Sequence, residues 1–397
     1  MNNIKLLVGR KQTFKDCTAL VQKASVTGRR GDAPRTFTAT LSDSEGHARL
    51  AANCAEGQTV IFYYDSEEEF RGLLMTDGRS NKKVLTLKAY DNCIYLCNNK
   101  RSFSYKKKTA TYIFKDCLKK LGLKLGSAVD TKHKIGELVK KNTTYWDVIQ
   151  DALSQTYKTT GIRYYVYSYK GKIYLAKRVV QSTMPILELD SNVQTYDMTR
   201  SIYNTRTRLV LKTSKGKKKG STTIKDLEKK IGRFQEVESV DEDITSTEIK
   251  QRIKAFKLET GIVSKELKIT ATGNMKCKSG KCIYVRMPEI DTKRIMYIEE
   301  DTHTFENGYH SMDLKLTYEK ASGGTSSKSS KKSNTKNSKY TVTAKSGLQL
   351  RSEPNGKVLA TMPYGTTVTS DNKKKGNWIH VKYKGSWGYA HKSWLKG

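Results

Sequence analysis

The chain has 397 residues and a formal net charge of +35, from 74 Lys and Arg against 39 Asp and Glu. It is 36% hydrophobic and has 23 Tyr against 9 Phe, which excludes a wholly disordered chain and favours strands with half-exposed aromatic faces. This length predicts about two to four domains. The charge predicts attraction to polyanions or acidic protein surfaces, although lysines spread along a chain are more often a solvated surface.

Cysteine spacing and hydropathy exclude several further classes. The seven cysteines lie at irregular spacings without a C-x-x-C pair, which predicts reduced thiols rather than a disulfide framework or a zinc site. The N-terminal sequence MNNIKLLVGRKQTF lacks the apolar core of a signal peptide, and no run of about 18 apolar residues occurs. We therefore expect no signal peptide and no membrane span, with folding in the cytoplasm and release by lysis or within an assembly.

The first half of the chain predicts β-strands followed by an α/β segment. Segments rich in Val, Thr and aromatic residues between turn residues predict strands at 34–41, 59–64 and 84–90. Thr109 and Thr144 stand where a helix N-cap is expected, each before an apolar stripe of helical spacing. A hairpin with its turn at 169–172 follows.

The second half predicts a further β-rich region. It holds a strand at 204–213, a Lys-rich hairpin tip at 215–220 and an amphipathic helix from Thr245 to Glu259. Four more strands follow, at 265–272, 282–287, 294–299 and 311–318. The hairpin tip could contact phosphate, but a solvated hairpin end is the commoner structure for such a sequence.

Residues 321–339 separate this body from a C-terminal module. They are mostly Ser, Lys, Gly, Thr and Asn, with no aliphatic residue larger than Ala, which predicts a flexible linker. After the linker, residues 340–397 read as five short strands. Their expected core is Leu348, Leu350, Val358, Leu359, Val368, Ile379 and Val381, partly covered by Trp378, Trp387 and Trp394.

The module carries the blocks L-x-L-R-S-x-P, G-K-V, P-Y-G-T-x-V and N-W-x-x-V-x-Y-x-G-x-x-G-Y. In these blocks it resembles a bacterial SH3 (SH3b) domain, a small β-barrel. The resemblance implies binding to cell-wall peptidoglycan or an associated glycopolymer. It also places Arg351 at the arginine of the first motif, a position where the side chain can have a structural role instead of contacting the ligand. The exposed aromatic residues expected to contact the ligand are Tyr364, Trp387 and Tyr389.

Catalytic motifs are absent from the sequence. It has no H-E-x-x-H, G-x-S-x-G, phosphate-loop or calcium-loop motif. His303 and His310 flank an expected turn beside acidic residues, where charged hairpin flanks are far commoner than a metal or acid/base site. The sequence therefore predicts no catalytic residue, no cofactor and no metal, and a protein that is not an enzyme.

Four further motifs lie in order along the body. They are F-R-G-x-L at 70–74, A-Y-D-x-x-x-Y-L at 89–96, T-A-x-x-I-F at 109–114 and Y-W-D-V-I at 145–149. With their spacing they resemble the baseplate hub proteins of contractile phage tails and of phage-tail-like (R-type) bacteriocins of Gram-positive hosts. The implied fold is mainly β with an α/β insertion, and consists of two tail-tube-like β-barrels plus the SH3b barrel. The implied regions are 1–98 (first barrel), 99–200 (insertion) and 201–320 (second barrel).

The hub resemblance implies a structural function. Three chains would form a homotrimer whose six barrels join a hexameric tail tube to a central spike, beside other baseplate proteins and with DNA passage through the lumen. The protein would then be part of a virion or tail-like particle. Two alternatives remain open: an SH3b-targeted peptidoglycan hydrolase, and a nucleic-acid-binding protein suggested by the net charge.

Overall fold

The computed structural model describes residues 3–11, 13–43, 54–318 and 338–396. The chain divides into two compact units, Met1–Gly324 and Thr325–Gly397. The expected linker lies outside the described residues except for Ser338 and Lys339, which already belong to the first strand of the second unit.

Seven strands open the first unit, and those expected around 34–41, 59–64 and 84–90 are confirmed within it. They are β1 (Ile4–Arg10), β2 (Thr13–Asp16), β3 (Val21–Arg29), β4 (Asp32–Ser42), β5 (Thr59–Tyr64), β6 (Glu67–Ser80) and β7 (Val84–Asp91). Alternation sets which face is buried: in β7, Leu85, Leu87 and Ala89 point into a core and the residues between them do not.

The α/β segment follows. Its elements are α1 (Ile94–Asn98), β8 (Lys100–Thr109), α2 (Ala110–Lys120), β9 (Leu125–Ala128), β10 (Lys134–Thr144), α3 (Tyr145–Thr160), β11 (Tyr164–Tyr169) and β12 (Lys172–Lys177). Both expected caps are confirmed, since the Thr109 and Thr144 hydroxyls accept hydrogen bonds from the backbone N–H of Tyr112 and Asp147. Gly161, with φ of 68°, ends α3 in the left-handed conformation.

The rest of the first unit is again mainly strand. Its elements are β13 (Ile186–Glu188), β14 (Val193–Ser201), β15 (Arg208–Lys212), β16 (Lys218–Thr223), α4 (Lys225–Ile231), β17 (Gln235–Ser239), α5 (Ser246–Glu259), β18 (Ser264–Thr272), β19 (Cys282–Met287), β20 (Thr292–Glu306) and β21 (Tyr309–Thr317). Thr245 caps α5 in a full capping box with Glu248.

Within the described residues, thirteen of these strands form one sheet that crosses the whole first unit. Its main path is β14-β18-β21-β20-β3-β4-β7-β6-β5-β1-β2. Strand β20 joins the two halves, because its first part pairs with β19 and its second part pairs with β3. Each half buries a separate core, one around Phe37 and Phe62 and the other around Ile283 and Leu316.

Two segments of the first unit are not part of this sheet and form small sheets of their own. In the α/β segment, β8 pairs with β10, and β12 pairs with both β9 and β11, around a core that includes Phe114 and Ile149. Residues 208–239 form the sheet β16-β15-β17, which packs on α5 through Leu209, Leu211 and Phe256. The region expected as the second barrel, 201–320, therefore contains a sheet of its own beside the shared one.

The second unit is a small barrel-like sheet. Its strands are β22 (Ser338–Val342), β23 (Leu348–Arg351), β24 (Val358–Met362), β25 (Thr367–Lys375), β26 (Trp378–Tyr383), β27 (Ser386–His391) and β28 (Leu395–Lys396). Among the described residues they are ordered β24-β23-β27-β26-β25-β22-β28. Five of the seven expected core residues are buried: Leu348, Leu350, Val368, Ile379 and Val381.

The other two expected core residues are exposed, so that part of the prediction is wrong. Val358 is 39% exposed and Leu359 is 46% exposed. Pairing between β23 and β24 slips after Leu350, so that Val358 stands opposite the outward-facing Arg351 and Leu359 is the extra residue of the bulge. Met362, which lies opposite Leu348, fills the core instead.

Candidate functional site

Strands β26 and β27 place a row of rings on the outer face of the second unit. Register pairs Trp378 with His391, His380 with Tyr389, and Lys382 with Trp387. The residues between them in each strand, such as Ile379 and Val381, are buried. Because side chains alternate along a strand, the paired residues share the opposite face. We call Trp378, His380, Trp387, Tyr389 and His391 the ring face.

The rings of this face contact one another. His380 lies between Trp387 and Tyr389, with its ring centre 5.0 Å from the Trp387 ring at an interplanar angle of 13° and 4.8 Å from the Tyr389 ring. Trp378 and His391 meet edge to face at 5.2 Å. Offset and edge-to-face contacts of this kind hold aromatic side chains in place. The ring face is therefore a preformed aromatic surface.

Lysines border the ring face. The ammonium group of Lys382 lies 5.9 Å from the centre of the Trp387 ring, and that of Lys375 lies 5.2 Å from the centre of the Tyr389 ring. The Asp371 carboxylate is 3.0 Å from Nδ1 of His380 and 2.8 Å from Nζ of Lys373. Partial burial alone would raise the pKa of Asp371, but the contacts with Lys373 and His380 outweigh this effect and hold the pKa below its usual value.

The expected ligand residues are distributed unevenly. Trp387 and Tyr389 lie together on the ring face, whereas Tyr364 lies on the turn between β24 and β25 and is 61% exposed. Nη1 of Arg351 donates a hydrogen bond of 2.8 Å to the Gly356 carbonyl, which is a structural contact. The sequence reasoning missed His380, although its alternation with buried aliphatic residues in W-I-H-V-K could have placed it beside Trp387.

A second concentration of charge lies in the first unit, where β20 crosses from one half of the sheet to the other. The fully buried carboxylate of Asp301 accepts hydrogen bonds from both terminal nitrogens of Arg35, which reaches it from β4, at 3.1 Å for Nη1. The backbone N–H of Ser279 also donates to Asp301, at 2.6 Å. Charge-assisted hydrogen bonds to both carboxylate oxygens satisfy a group that would otherwise be costly to bury.

The neighbouring Glu299 extends this junction to the α/β segment. Its carboxylate pairs with Arg30 at 2.6 Å and with Arg178, which follows β12, at 3.0 Å. Burial opposes ionisation, but the two guanidinium groups hold the pKa of Glu299 below its ordinary value. Ion pairs thus connect the first half of the sheet, β20 and the α/β segment at one place.

His303 and His310 are not charged hairpin flanks, so that expectation is wrong. Both are buried, because β20 and β21, on either side of the 306–309 turn, each direct alternate residues into the core. Nε2 of His303 donates to the Cys277 carbonyl at 3.0 Å, which leaves Nδ1 to accept from Nε2 of His310 at 3.0 Å. Burial lowers the pKa of each ring to about 4, so both are neutral near pH 7.

A cleft of about 580 Å³ lies beside this junction, between the β5–β6 turn, β11 and residues 274–281. Its tyrosine wall is stacked: the rings of Tyr165 and Tyr167 are 5.6 Å apart. Among its charged side chains, Lys278 forms an ion pair with Glu69. In the part of the chain that the structure describes, no cluster of three or more His, Cys, Asp or Glu residues could hold a metal ion, and no helix is long and apolar enough to cross a membrane.

The body has the fold of phage tail proteins. It is similar to the crystal structure of the tail protein from Neisseria meningitidis MC58, with a TM-score of 0.63 and 13% identity over 80% of this chain and 97% of that one. It is also similar to the 43 kDa tail protein of prophage MuSo2 from Shewanella oneidensis, with a TM-score of 0.58 and 15% identity over 80% of this chain and 96% of that one.

The chain belongs to the YQBQ-like family, whose pattern matches residues 24–317. It is 32% identical over 301 residues to the Phage-like element PBSX protein XkdQ of Bacillus subtilis (strain 168), over 75% of this chain and 92% of that protein. Residues 346–396 match the bacterial SH3 domain. The resemblance seen in the sequence is thereby confirmed as far as a relative from a phage-like element, the fold of phage tail proteins and a C-terminal SH3b domain.

Proposed function

We propose that the body is a baseplate hub subunit, three copies of which join a hexameric tail tube to a central spike. The observation that carries the proposal is β20, which unites two β-rich halves with separate cores in one sheet. A chain with two such halves presents six in a homotrimer, which matches a six-fold ring. The tail tube protein, the spike protein and other baseplate proteins are then its partners, and DNA passes through the lumen.

The junction of buried ion pairs supports the same proposal. An adaptor between a tube and a spike transmits load, so the halves of each subunit must not shift against one another. Asp301 and Glu299 connect β20 to β4, to the turn between β3 and β4 and to the α/β segment through three arginines, with hydrogen bonds of 2.6, 3.0 and 3.1 Å among them. The subunit belongs, on this proposal, to a phage or R-type bacteriocin particle that is assembled in the cytoplasm and released by lysis.

The oligomeric state tests the hub proposal. Light scattering on the full chain at micromolar concentration should give the mass of three chains of 45.0 kDa. A chain that stays monomeric over the whole micromolar range would contradict the proposal. A lytic band from the full chain in a peptidoglycan zymogram would favour a wall hydrolase over a scaffold.

We also propose that the SH3b domain attaches the particle to the bacterial cell wall. The ring face supports this, because partly exposed aromatic residues that cluster on one surface are a common feature of binding sites. Three copies in a trimer would strengthen weak binding at a single site. The full chain should sediment with purified walls, and a chain ending at residue 337 should not.

A further inference from the structure

The ring face combines two kinds of recognition on one surface. Exposed aromatic faces cover the apolar side of a sugar ring or a polyol, and Trp387 is 39% exposed on this face. The exposed ammonium groups of Lys375 and Lys382 stand above the Tyr389 and Trp387 rings and act as point charges for anions. A ligand that satisfies both must carry apolar ring or polyol faces and negative charges at short intervals.

The second unit as a whole is positively charged, like the lysines that border the ring face. Residues 338–396 contain eleven Lys and Arg but only Glu353 and Asp371 as acidic residues. Asp371, the acidic residue next to the ring face, is already engaged by Lys373 and His380. The field at the ring face is therefore positive, and it attracts an anionic polymer along its length.

From these observations we propose that the ring face binds a phosphate-bearing wall polymer, in which sugar or polyol units alternate with phosphodiesters. The inference rests on the proposed wall attachment and specifies its ligand class. A neutral glycan would use the rings and leave the lysines without a function. A phosphodiester keeps its negative charge throughout the neutral pH range, so it pairs with the lysines that flank each ring.

Removal of phosphate from the wall tests the ligand class directly. The probes are walls purified from Bacillus subtilis, intact and after hydrofluoric acid treatment, which cleaves phosphodiesters and leaves peptidoglycan behind. We expect the full chain to bind treated walls at least tenfold more weakly than intact walls. Binding to intact walls should also fall several-fold as sodium chloride rises from about 50 to 500 mM, because salt screens exposed charges.

Matched charge variants test whether the ring face is the binding site. The double variant K375Q/K382Q keeps the rings and removes two charges from the face, and we expect it to lose most binding to intact walls. The control K345Q/K357Q removes the same charge from exposed residues outside β25, β26 and β27, and we expect it to bind as the wild type does. A third variant, W387A, should also lose binding. An unchanged thermal transition of the second unit shows that each variant is folded.

The outcomes separate this inference from the proposed wall attachment. Equal binding to treated and intact walls leaves the wall attachment standing and overturns the phosphate ligand. Absence of binding to either wall overturns the wall attachment itself. An equal loss in K375Q/K382Q and K345Q/K357Q shows that overall charge, rather than the ring face, holds the polymer, and it overturns the assignment of the site.

Discussion

At the scale of single residues, the Arg35–Asp301 pair is the charge contact with the largest expected effect. The Asp301 side chain is fully buried and the Arg35 side chain is 15% exposed. Replacement of Arg35 by Met leaves the carboxylate buried with the backbone N–H of Ser279 but without its counter-charge. We expect Arg35→Met to lower the free energy of unfolding by about 3–5 kcal/mol, as measured by urea denaturation.

The matched control for this prediction is Arg29→Met. Arg29 pairs with Asp32 and Glu300, and all three side chains are at least 36% exposed. Exposed ion pairs of this kind contribute about 0–1 kcal/mol. A double variant that also changes Asp301 to Leu should regain part of the loss, because no buried charge is left unpaired. A loss in Arg35→Met no larger than in Arg29→Met would contradict the assigned role.

The buried histidines predict a pH dependence. In the unfolded chain a histidine has a pKa near 6.5, whereas burial lowers the pKa of His303 and of His310 to about 4 in the folded state. Their contribution to stability is thus present above pH 6.5 and is lost as the pH falls toward 4. Between pH 7 and pH 5 we expect a loss of about 2 kcal/mol for each ring, as measured by urea denaturation at several pH values.

A variant without the two rings isolates this effect. In H303N/H310N the decline of stability between pH 7 and pH 5 should be clearly smaller than in the wild type. Burial raises the pKa of Asp91 to about 6, which adds stability as the pH falls through 6, but this contribution is common to both proteins and cancels in the comparison. Equal slopes in the two proteins would show that the histidine pair does not couple to unfolding.

At the scale of elements, local signals were predictable and non-local pairing was not. The N-caps Thr109 and Thr144 were expected from the sequence because a cap and its helix lie within one turn of each other. The strand expected at 294–299 is part of the longer β20, since its second part pairs with β3, which is more than 250 residues earlier in the chain. No local sequence pattern indicates which distant strand will be the partner.

Some residues of the candidate site could likewise be predicted from the sequence, and others could not. Trp387 and Tyr389 could be selected from the sequence because exposed aromatic residues near a hairpin stand out by type and spacing. The junction around Asp301 could not, because charged residues are usually exposed and the partner Arg35 is 266 residues away. Val358 and Leu359 were misassigned to the core because a bulge changes which face a residue occupies, and one residue of slip reverses the faces.

At the scale of the whole molecule, the second compact unit has a hydrophobic core of its own. The second unit packs Val342, Leu350, Met362, Val381 and other apolar residues into a cluster of described residues from that unit alone. Separate cores favour separate unfolding transitions. Calorimetry on the full chain should therefore resolve two transitions, one of which should be missing from a chain that ends at residue 337.

A substitution at Gly388 tests this independence. A Cβ atom at this position would lie 2.6 Å from the backbone oxygen of Arg351, where β27 runs beside β23, so Gly388→Ala forces the two strands apart. The control is Gly376→Ala. Gly376 has φ of 55°, and a methyl group added there would have no atom within 4 Å. The only cost is therefore that of placing Ala in the left-handed conformation, about 1 kcal/mol. In a domain of this size about 1 kcal/mol lowers the midpoint by roughly 4–8 °C.

We therefore expect Gly388→Ala to lower the transition of the second unit by far more than Gly376→Ala does, or to abolish it, while the transition of the first unit keeps its midpoint. The body would then still be able to assemble, as the proposed hub function requires if the second unit is dispensable for its folding. A downward shift of both transitions in Gly388→Ala would show that the two cores stabilise each other. In that case the second unit would contribute to the stability of the body, beyond the attachment function proposed for it.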